Sequence, residues 1–161
     1  MAITVGTDSF LSVGDADSYM AARLYSTTWS GATTADKEKA LKMATAFLNR
    51  ERWQGTITST SQLLAWPRQG AVDAEGRAIA STIIPQPVRD ATAELALNLL
   101  TEDRTADDGN RGVRAVTAGS VKVEYAGAAP VRRLPDLVQA IIAPLLCPPG
   151  GTSQNSVQMV F

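Results

Sequence analysis

The chain has 161 residues, of which 45% are hydrophobic and 19% are charged, and its formal net charge is −1. This length fits one domain with an arm, and the hydrophobic fraction supports a sizeable core rather than a disordered chain. The near-neutral charge argues against a general nucleic-acid coat, which would carry a basic face, but it leaves room for a local basic patch.

The rarest residue types restrict the compartment and the chemistry. Cys147 is the single cysteine, so no internal disulfide can form, which suits a reducing compartment. The first basic residue is Arg23, and no apolar run approaches the roughly 18 residues of a membrane span. We therefore expect a soluble protein made in a cytosol, with no signal peptide and no membrane partner. The absence of histidine removes Ser-His-Asp and Cys-His sites and the commonest zinc ligand.

The amino-terminal region predicts an extended segment followed by a helix. Residues 1–14 are expected to be extended, with a short strand at Phe10–Val13. Either Asp15 or Asp17 then caps a helix that runs to about Leu24, because a short acidic side chain suits that position. A linker rich in Ser, Thr and Gly follows this helix.

The second predicted helix has the clearest pattern. Its N-cap is Thr33 or Thr34, and it is expected to run to Gly55, with Arg50 and Arg52 in its last turn. Its apolar residues recur at helical spacing and form one face: Ala40, Leu41, Ala44, Phe47 and Leu48.

The central part of the chain predicts an irregular segment and then a third helix. Residues 56–84 carry no helical or strand period. Pro87 is well placed at the first position of a helix that ends near Glu102. Its apolar stripe consists of Val88, Ala91, Leu95 and Leu99, flanked by Ala96 and Leu100. A polar surface loop is expected over 103–112.

The last structured elements are a hairpin and a fourth helix. Alternating residues over 113–125 predict the hairpin. Pro135 opens the helix, and Pro144 predicts a kink or an early stop. Its broad apolar face consists of Leu137, Val138, Ile141, Ile142, Leu145 and Leu146. The expected fold is mainly α: a small bundle of about four helices with a short β-hairpin, spanning 1–146.

Residues 147–161 are predicted to form an extended C-terminal arm. Two prolines and two glycines stop the preceding helix, a polar spacer follows, and the end of the chain alternates with the period of a strand. Such a strand needs a sheet edge or a groove, on this molecule or on another. The residues predicted to bind a partner are Val157, Met159, Val160 and Phe161.

The motifs of common enzymes are missing from the sequence. It contains no P-loop, no G-x-G-x-x-G and no G-x-S-x-G. The spacing of Asp103, Thr105 and Asp107 resembles the start of a calcium loop, but Asp108 replaces the required Gly and Arg114 replaces the bidentate Glu. We therefore expect no enzyme activity, no cofactor and no metal site.

The aromatic residues near arginines have two interpretations. Trp29, Trp53 and Trp66 lie close in sequence to arginines, and Pro67 and Arg68 complete the cluster. Aromatic rings interleaved with basic residues can stack the bases of single-stranded DNA, at about 1–3 kcal/mol per base. The alternative, favoured by the near-neutral charge, is that these tryptophans cap helix ends and fill the edge of the core.

An ordered set of short segments resembles a known family. In chain order the segments are Ser18-Tyr19, Trp29, Lys37-Glu38-Lys39-Ala40-Leu41, Trp53-Gln54-Gly55, Leu64-Ala65-Trp66-Pro67-Arg68, Ile84-Pro85, Ala91-Thr92-Ala93-Glu94-Leu95-Ala96 and Ala118-Gly119-Ser120-Val121-Lys122-Val123-Glu124-Tyr125. This set, over roughly residues 8–146, resembles the head–tail adaptor (head-completion or connector) proteins of tailed bacteriophages. Such sequences are often labelled DnaT-like single-stranded-DNA-binding proteins.

The resemblance implies a structural protein of the virion neck, made in the cytoplasm of a bacterial host. Such adaptors form a ring, usually of twelve copies, between the portal protein and the head-closure or tail-completion proteins. Genomic DNA passes through the ring without sequence-specific binding. The arm at 147–161 would then engage the portal or a neighbouring subunit. The alternative function is a single-stranded-DNA-binding accessory protein of phage replication.

Overall fold

The computed structural model describes residues 3–103, 115–118, 121–124 and 134–148. Within these ranges the protein is mainly helical, and two small antiparallel strand pairs accompany the helices, so the predicted fold class is confirmed. In chain order the elements are α1 (Val13–Ala21), α2 (Thr27–Gly31), α3 (Thr34–Leu48), β1 (Thr56–Ile57), β2 (Arg68–Gln69), α4 (Gln86–Leu99), β3 (Ala115–Ala118), β4 (Val121–Glu124), α5 (Asp136–Ile142) and a 3-10 turn (Ala143–Leu145). No helix among the described residues is long and apolar enough to cross a membrane.

The start of α1 differs from the prediction. Phe10 and Leu11 are buried as expected of apolar residues, but they form no strand, and the helix already begins at Val13. The N-cap is Ser12, whose hydroxyl accepts a hydrogen bond from the Asp15 backbone N–H at 3.1 Å and donates one to the Asp15 carboxylate at 2.8 Å. Asp15 therefore lies in the first turn, where the helix dipole favours an acid, and the predicted cap at Asp15 or Asp17 is wrong.

The segment predicted as a linker after α1 contains the short helix α2. Propensity gives no signal for it, because its sequence Thr-Thr-Trp-Ser-Gly holds no strong helix former. Burial of Trp29, which is 2% exposed, supplies the stabilisation that the local sequence lacks.

Helix α3 begins as predicted and ends early. Thr33 is the N-cap, and its hydroxyl accepts a hydrogen bond from the Asp36 backbone N–H at 3.2 Å. The helix ends at Leu48, whose carbonyl accepts hydrogen bonds from the Glu51 N–H at 3.1 Å, in a tighter turn, and from the Trp53 indole at 3.0 Å. Arg50 and Arg52 consequently lie beyond the helix and not in its last turn, which corrects the prediction.

Helix α4 is the central element of the bundle. It packs against α1, α3 and α5, and every residue from Ala91 to Leu97 is buried. Small side chains over this stretch let the neighbouring helices approach closely. The predicted stripe is buried at Val88, Ala91, Leu95 and Ala96, whereas Leu99 and Leu100 are half-buried.

The segment 56–84, predicted to be irregular, contains one short strand pair. Thr56 in β1 pairs with Gln69 in β2, and the chain passes very close to itself just before this pair. Gly55 has φ +67°, and a Cβ at this position would lie 2.2 Å from the Gln69 carbonyl oxygen. Only glycine fits both the left-handed backbone and the close approach.

The final helix stops where the sequence predicts. Helix α5 ends at Ile142, and a 3-10 turn containing Pro144 follows it. Val138, Ile142 and Leu145 are fully or almost fully buried, but Leu137 is 51% exposed and so does not belong to the predicted apolar face. After this turn the chain runs antiparallel to residues 52–54: the Gln54 N–H donates to the Leu145 carbonyl at 3.0 Å, and the Cys147 N–H donates to the Arg52 carbonyl at 2.8 Å.

Three predicted segments lie partly or mostly outside the described residues: the hairpin, the polar loop and the arm. The hairpin is present in antiparallel register, with Val116 opposite Val123, within the predicted range 113–125. The polar loop from 104 onward lies outside the described residues, as does the arm from 149 onward. That part of the arm includes Val157, Met159, Val160 and Phe161, so their partner-binding role and the domain boundary after 146 stay predictions.

Candidate nucleic-acid interface

Two of the three tryptophans pack together beside a groove, and one of them, Trp53, lines it. Trp53 and Trp66 meet edge to face, with ring centroids 5.7 Å apart and ring planes at 79°. They are 4% and 0% exposed. Their rings therefore belong to the core and present no open face for a nucleobase to stack on.

Arg68 holds the wall of this groove through backbone carbonyls. Its Nε donates to the Gln54 carbonyl at 2.6 Å, its Nη2 to the Gly55 carbonyl at 2.7 Å and its Nη1 to the Ala65 carbonyl at 3.1 Å. Burial lowers the pKa of Arg68, yet an arginine keeps its charge in proteins. No described carboxylate forms an ion pair with it. The groove wall is therefore positive.

The groove lies between the end of α3 and the loop over 57–65, and its volume is about 490 Å³. The side-chain amides that line this groove already form hydrogen bonds with backbone groups in and next to the loop. The Asn49 side chain accepts a hydrogen bond from the Ala65 N–H, and Gln62 Nε2 donates to the Leu64 and Pro67 carbonyls at 2.6 and 2.9 Å. The groups left for a ligand are the Arg52 guanidinium, the Glu51 carboxyl and apolar side chains. The apolar side chains that are most exposed are Ile57 and Leu63.

The end of α3 carries cations that no described carboxylate neutralises. Apart from Arg68, the other basic side chains that the structure describes pair with acids, as Lys37 does with Asp17 at 2.9 Å and Arg89 with Asp15 at 2.9 Å. Lys42, Arg50 and Arg52 form no such ion pair. Arg50 and Arg52 are exposed, so this end of the bundle has a local basic patch on a chain that is nearly neutral overall.

Glu51 is the acidic side chain that lines the groove. It lies between the two arginines in sequence, and burial raises its pKa above the usual 4.5. The ionised Glu51 side chain opposes the binding of an anion, whereas the protonated side chain is neutral and opposes that binding less. The charge of the groove therefore becomes more positive as the pH falls toward the pKa of Glu51.

Trp29 lies apart from the other two tryptophans, against α1 and α3. Its indole donates to Asp17 Oδ1 at 2.7 Å, and the Lys37 ammonium lies 5.3 Å from the ring centroid. Burial acts to raise the pKa of Asp17, but the hydrogen bonds from Lys37 and Trp29 outweigh it and leave that pKa lowered. The structure thus brings Trp53, Trp66, Pro67 and Arg68 together and leaves Trp29 out of the cluster.

Sequence reasoning missed most of the groove. Asn49, Ile57, Gln62 and Leu63 gave no signal, because they lie after a helix end or in a segment without hydrophobic period. The usable signal was the run Arg50-Glu51-Arg52, in which two cations flank one acid. In the described part of the chain, no group of three His, Cys, Asp or Glu residues could hold a metal ion.

A comparison with protein families matches residues 2–160 to one described as "Putative DnaT-like ssDNA binding protein". The chain belongs to this family. The finding corrects the role drawn from the adaptor resemblance, because the family description names single-stranded-DNA binding and not a connector of the virion. The structural-connector interpretation is therefore wrong, and the predicted portal, closure and tail partners, the ring of copies and the virion location are untested. No curated protein and no solved structure matches the chain.

Proposed function

We propose that this protein binds single-stranded DNA without sequence preference and without catalysis, and that Arg50 and Arg52 contact the phosphates. The observation that carries this proposal is the family match, which spans residues 2–160 and so includes the whole groove. This was the alternative function drawn from the sequence, but the tryptophans proposed for it there are buried.

The groove supports backbone recognition more than base recognition. Sequence-specific contacts need free donors and acceptors that face base edges, and the Asn49 and Gln62 amides already bond within the loop. Cations and apolar side chains remain, and these contact phosphates, sugars and the flat faces of any base. Ile57 and Leu63 supply the apolar contact beside Arg52.

The charge of the chain limits the affinity that we expect. Each phosphate contact contributes a slope of about −0.7 in a plot of log K against log salt for single strands, so two arginines give about −1.4. Non-specific affinities at physiological salt are typically about 10⁻⁴ to 10⁻⁶ M. A protein with net charge −1 and a small basic patch belongs in this weak range.

The test compares two double variants that remove equal charge. Arg50→Ala/Arg52→Ala removes the two exposed arginines that pair with no described carboxylate, and Arg77→Ala/Arg89→Ala removes two arginines that pair with acids elsewhere. Binding to a labelled oligothymidine of about 16 nucleotides is measured by fluorescence anisotropy over a range of salt concentrations. The first variant should lose affinity and should flatten the salt slope to near zero, whereas the second should keep the wild-type slope. Equal losses in both variants would refute the assignment of the groove.

A further inference from the structure

The loop between α1 and α2 presents two apolar side chains to solvent. Leu24 is 78% exposed and Tyr25 is 90% exposed. Among the residues that the structure describes, Tyr25 is the one aromatic residue that is mostly exposed, since the others are buried or half-buried. The loop shares no residue with the groove lining. It is therefore a separate surface feature.

The backbone of this loop is held in an unfavourable conformation. Tyr25 has φ +58°, in the left-handed region that a bulky residue seldom adopts. Arg23 fixes it there: its Nη1 donates to the Leu24 and Tyr25 carbonyls at 2.7 and 3.3 Å, while its Nε is held by the buried Glu94 at 2.6 Å. A strained backbone that fixes an exposed ring points to a function of that ring.

The surroundings of the ring suit an anionic ligand. The sequence has no acidic residue between Asp17 and Asp36, and Asp17 is already bound to Trp29 and Lys37. The exposed hydroxyls of Thr27 and Thr28 have no hydrogen-bond partner among the described residues, and Ser and Thr hydroxyls commonly contact DNA phosphates.

We propose that Tyr25 is a base-stacking platform for single-stranded DNA, with Leu24 beside it and the Thr27 and Thr28 hydroxyls available to the phosphate. This inference rests on the proposed function, but it concerns a different surface. Stacking on an aromatic ring tolerates every base, which agrees with binding that does not depend on sequence. Arg23 holds the backbone of the loop before the DNA arrives, so little backbone order is lost on binding.

The substitution Tyr25→Trp reports the contact directly. The three native tryptophans are at most 4% exposed, so Tyr25→Trp adds the one indole that a base can reach. Oligothymidine should quench the fluorescence of Tyr25→Trp and should leave Leu137→Trp unchanged, a control in which the new ring stands on α5 at a half-exposed position. Equal quenching in both variants, or none in Tyr25→Trp while the oligonucleotide binds, would overturn the stacking role and leave the proposed function standing.

Affinity measurements separate stacking from structure. Tyr25→Ala should weaken binding by about 5- to 150-fold and Tyr25→Phe should keep it, since stacking needs the ring and not the hydroxyl. Tyr25→Gly relieves the backbone strain, so it should raise the melting temperature while losing the same affinity. If Tyr25→Ala instead breaks up a dimer seen by sedimentation without changing DNA affinity, the surface joins two copies of the chain and the inference fails. If the wild type binds no oligonucleotide, both the inference and the proposed function fail.

Discussion

Among the glycines that the structure describes, Gly55 is the one whose substitution by alanine should lower the free energy of unfolding most. The residue lies between the end of α3 and β1, with φ +67°, and a Cβ there would lie 2.2 Å from the Gln69 carbonyl oxygen and 2.9 Å from the Ala71 nitrogen. Both neighbours are backbone atoms, which cannot rotate away as a side chain can. The Gly55 carbonyl also accepts a hydrogen bond from Arg68, so any shift is passed to the groove.

Two costs add in Gly55→Ala. Placing alanine in the left-handed region costs roughly 1–2 kcal/mol, and moving packed backbone to relieve a collision costs roughly another 1–3 kcal/mol. The expected loss in the free energy of unfolding is therefore about 2–5 kcal/mol, a large share of a typical total of about 5–15 kcal/mol. For a chain of this length the melting temperature should fall by roughly 4–20 °C.

Urea unfolding followed by tryptophan fluorescence measures this loss, because all three indoles are buried in the folded state. Gly76→Ala is the matched control: its φ is +79°, but no atom lies near its missing Cβ, so it should show only the strain of roughly 1–2 kcal/mol. Gly14→Ala, on α1 with open space around it, should stabilise by roughly 0.4–1 kcal/mol. If Gly55→Ala costs no more than Gly76→Ala, the close approach of the two backbone segments is refuted.

Three further changes test other parts of the structure. Thr33→Ala should cost about 1 kcal/mol in a urea titration and Thr34→Ala almost nothing, because the Thr33 hydroxyl alone caps α3; equal costs would contradict this cap. Glu94→Ala removes the partner of Arg23 and Tyr19 and should cost about 1–3 kcal/mol, less than a fully buried pair because the Arg23 side chain is 27% exposed. Burial, with the Glu94 hydrogen bond, raises the pKa of Tyr19 to about 12, so Glu94→Ala should also lower that pKa in a spectroscopic titration. Burial raises the pKa of the Glu51 carboxyl above its usual 4.5 in the folded state. The stability that Glu51 contributes is therefore fully present below pH 4.5 and is lost as the pH rises through the raised pKa. Glu51→Gln should remove this loss in a series of urea midpoints, and it should tighten DNA binding at neutral pH.

The helices with strong hydrophobic period were predictable from the sequence. The pattern of α4 agrees with its position at the centre of the bundle, and Pro144 correctly predicts the stop after α5. These features depend on local sequence, since a helix period and a missing backbone N–H act within a few residues. The predicted cap at Asp15 or Asp17 is wrong because serine suits that position as well as aspartate does, and only tertiary packing fixes that α1 begins after Ser12.

The candidate site was harder to predict, because tertiary contacts create it. The Trp53 indole bonds the Leu48 carbonyl at the end of α3, so that Arg50 and Arg52 lie beyond the helix, and Arg52 lines the groove. The loop over 57–65 is held by the side chains of Asn49 and Gln62, which carry no periodic signal. The exposure of Tyr25 depends in the same way on Arg23 and Glu94, which are far apart in sequence and adjacent in space.

Single-stranded-DNA binding by this chain is measured by titrating labelled oligothymidine with the wild-type protein at low and at physiological salt. We expect saturable binding in the micromolar range, and this binding should weaken with a log–log salt slope of about −1.4. Duplex DNA of the same length should compete poorly for the protein, because its bases are already stacked. No change in anisotropy at protein concentrations of about 10⁻⁴ M in low salt, the weak limit of non-specific binding, would contradict the proposed binding.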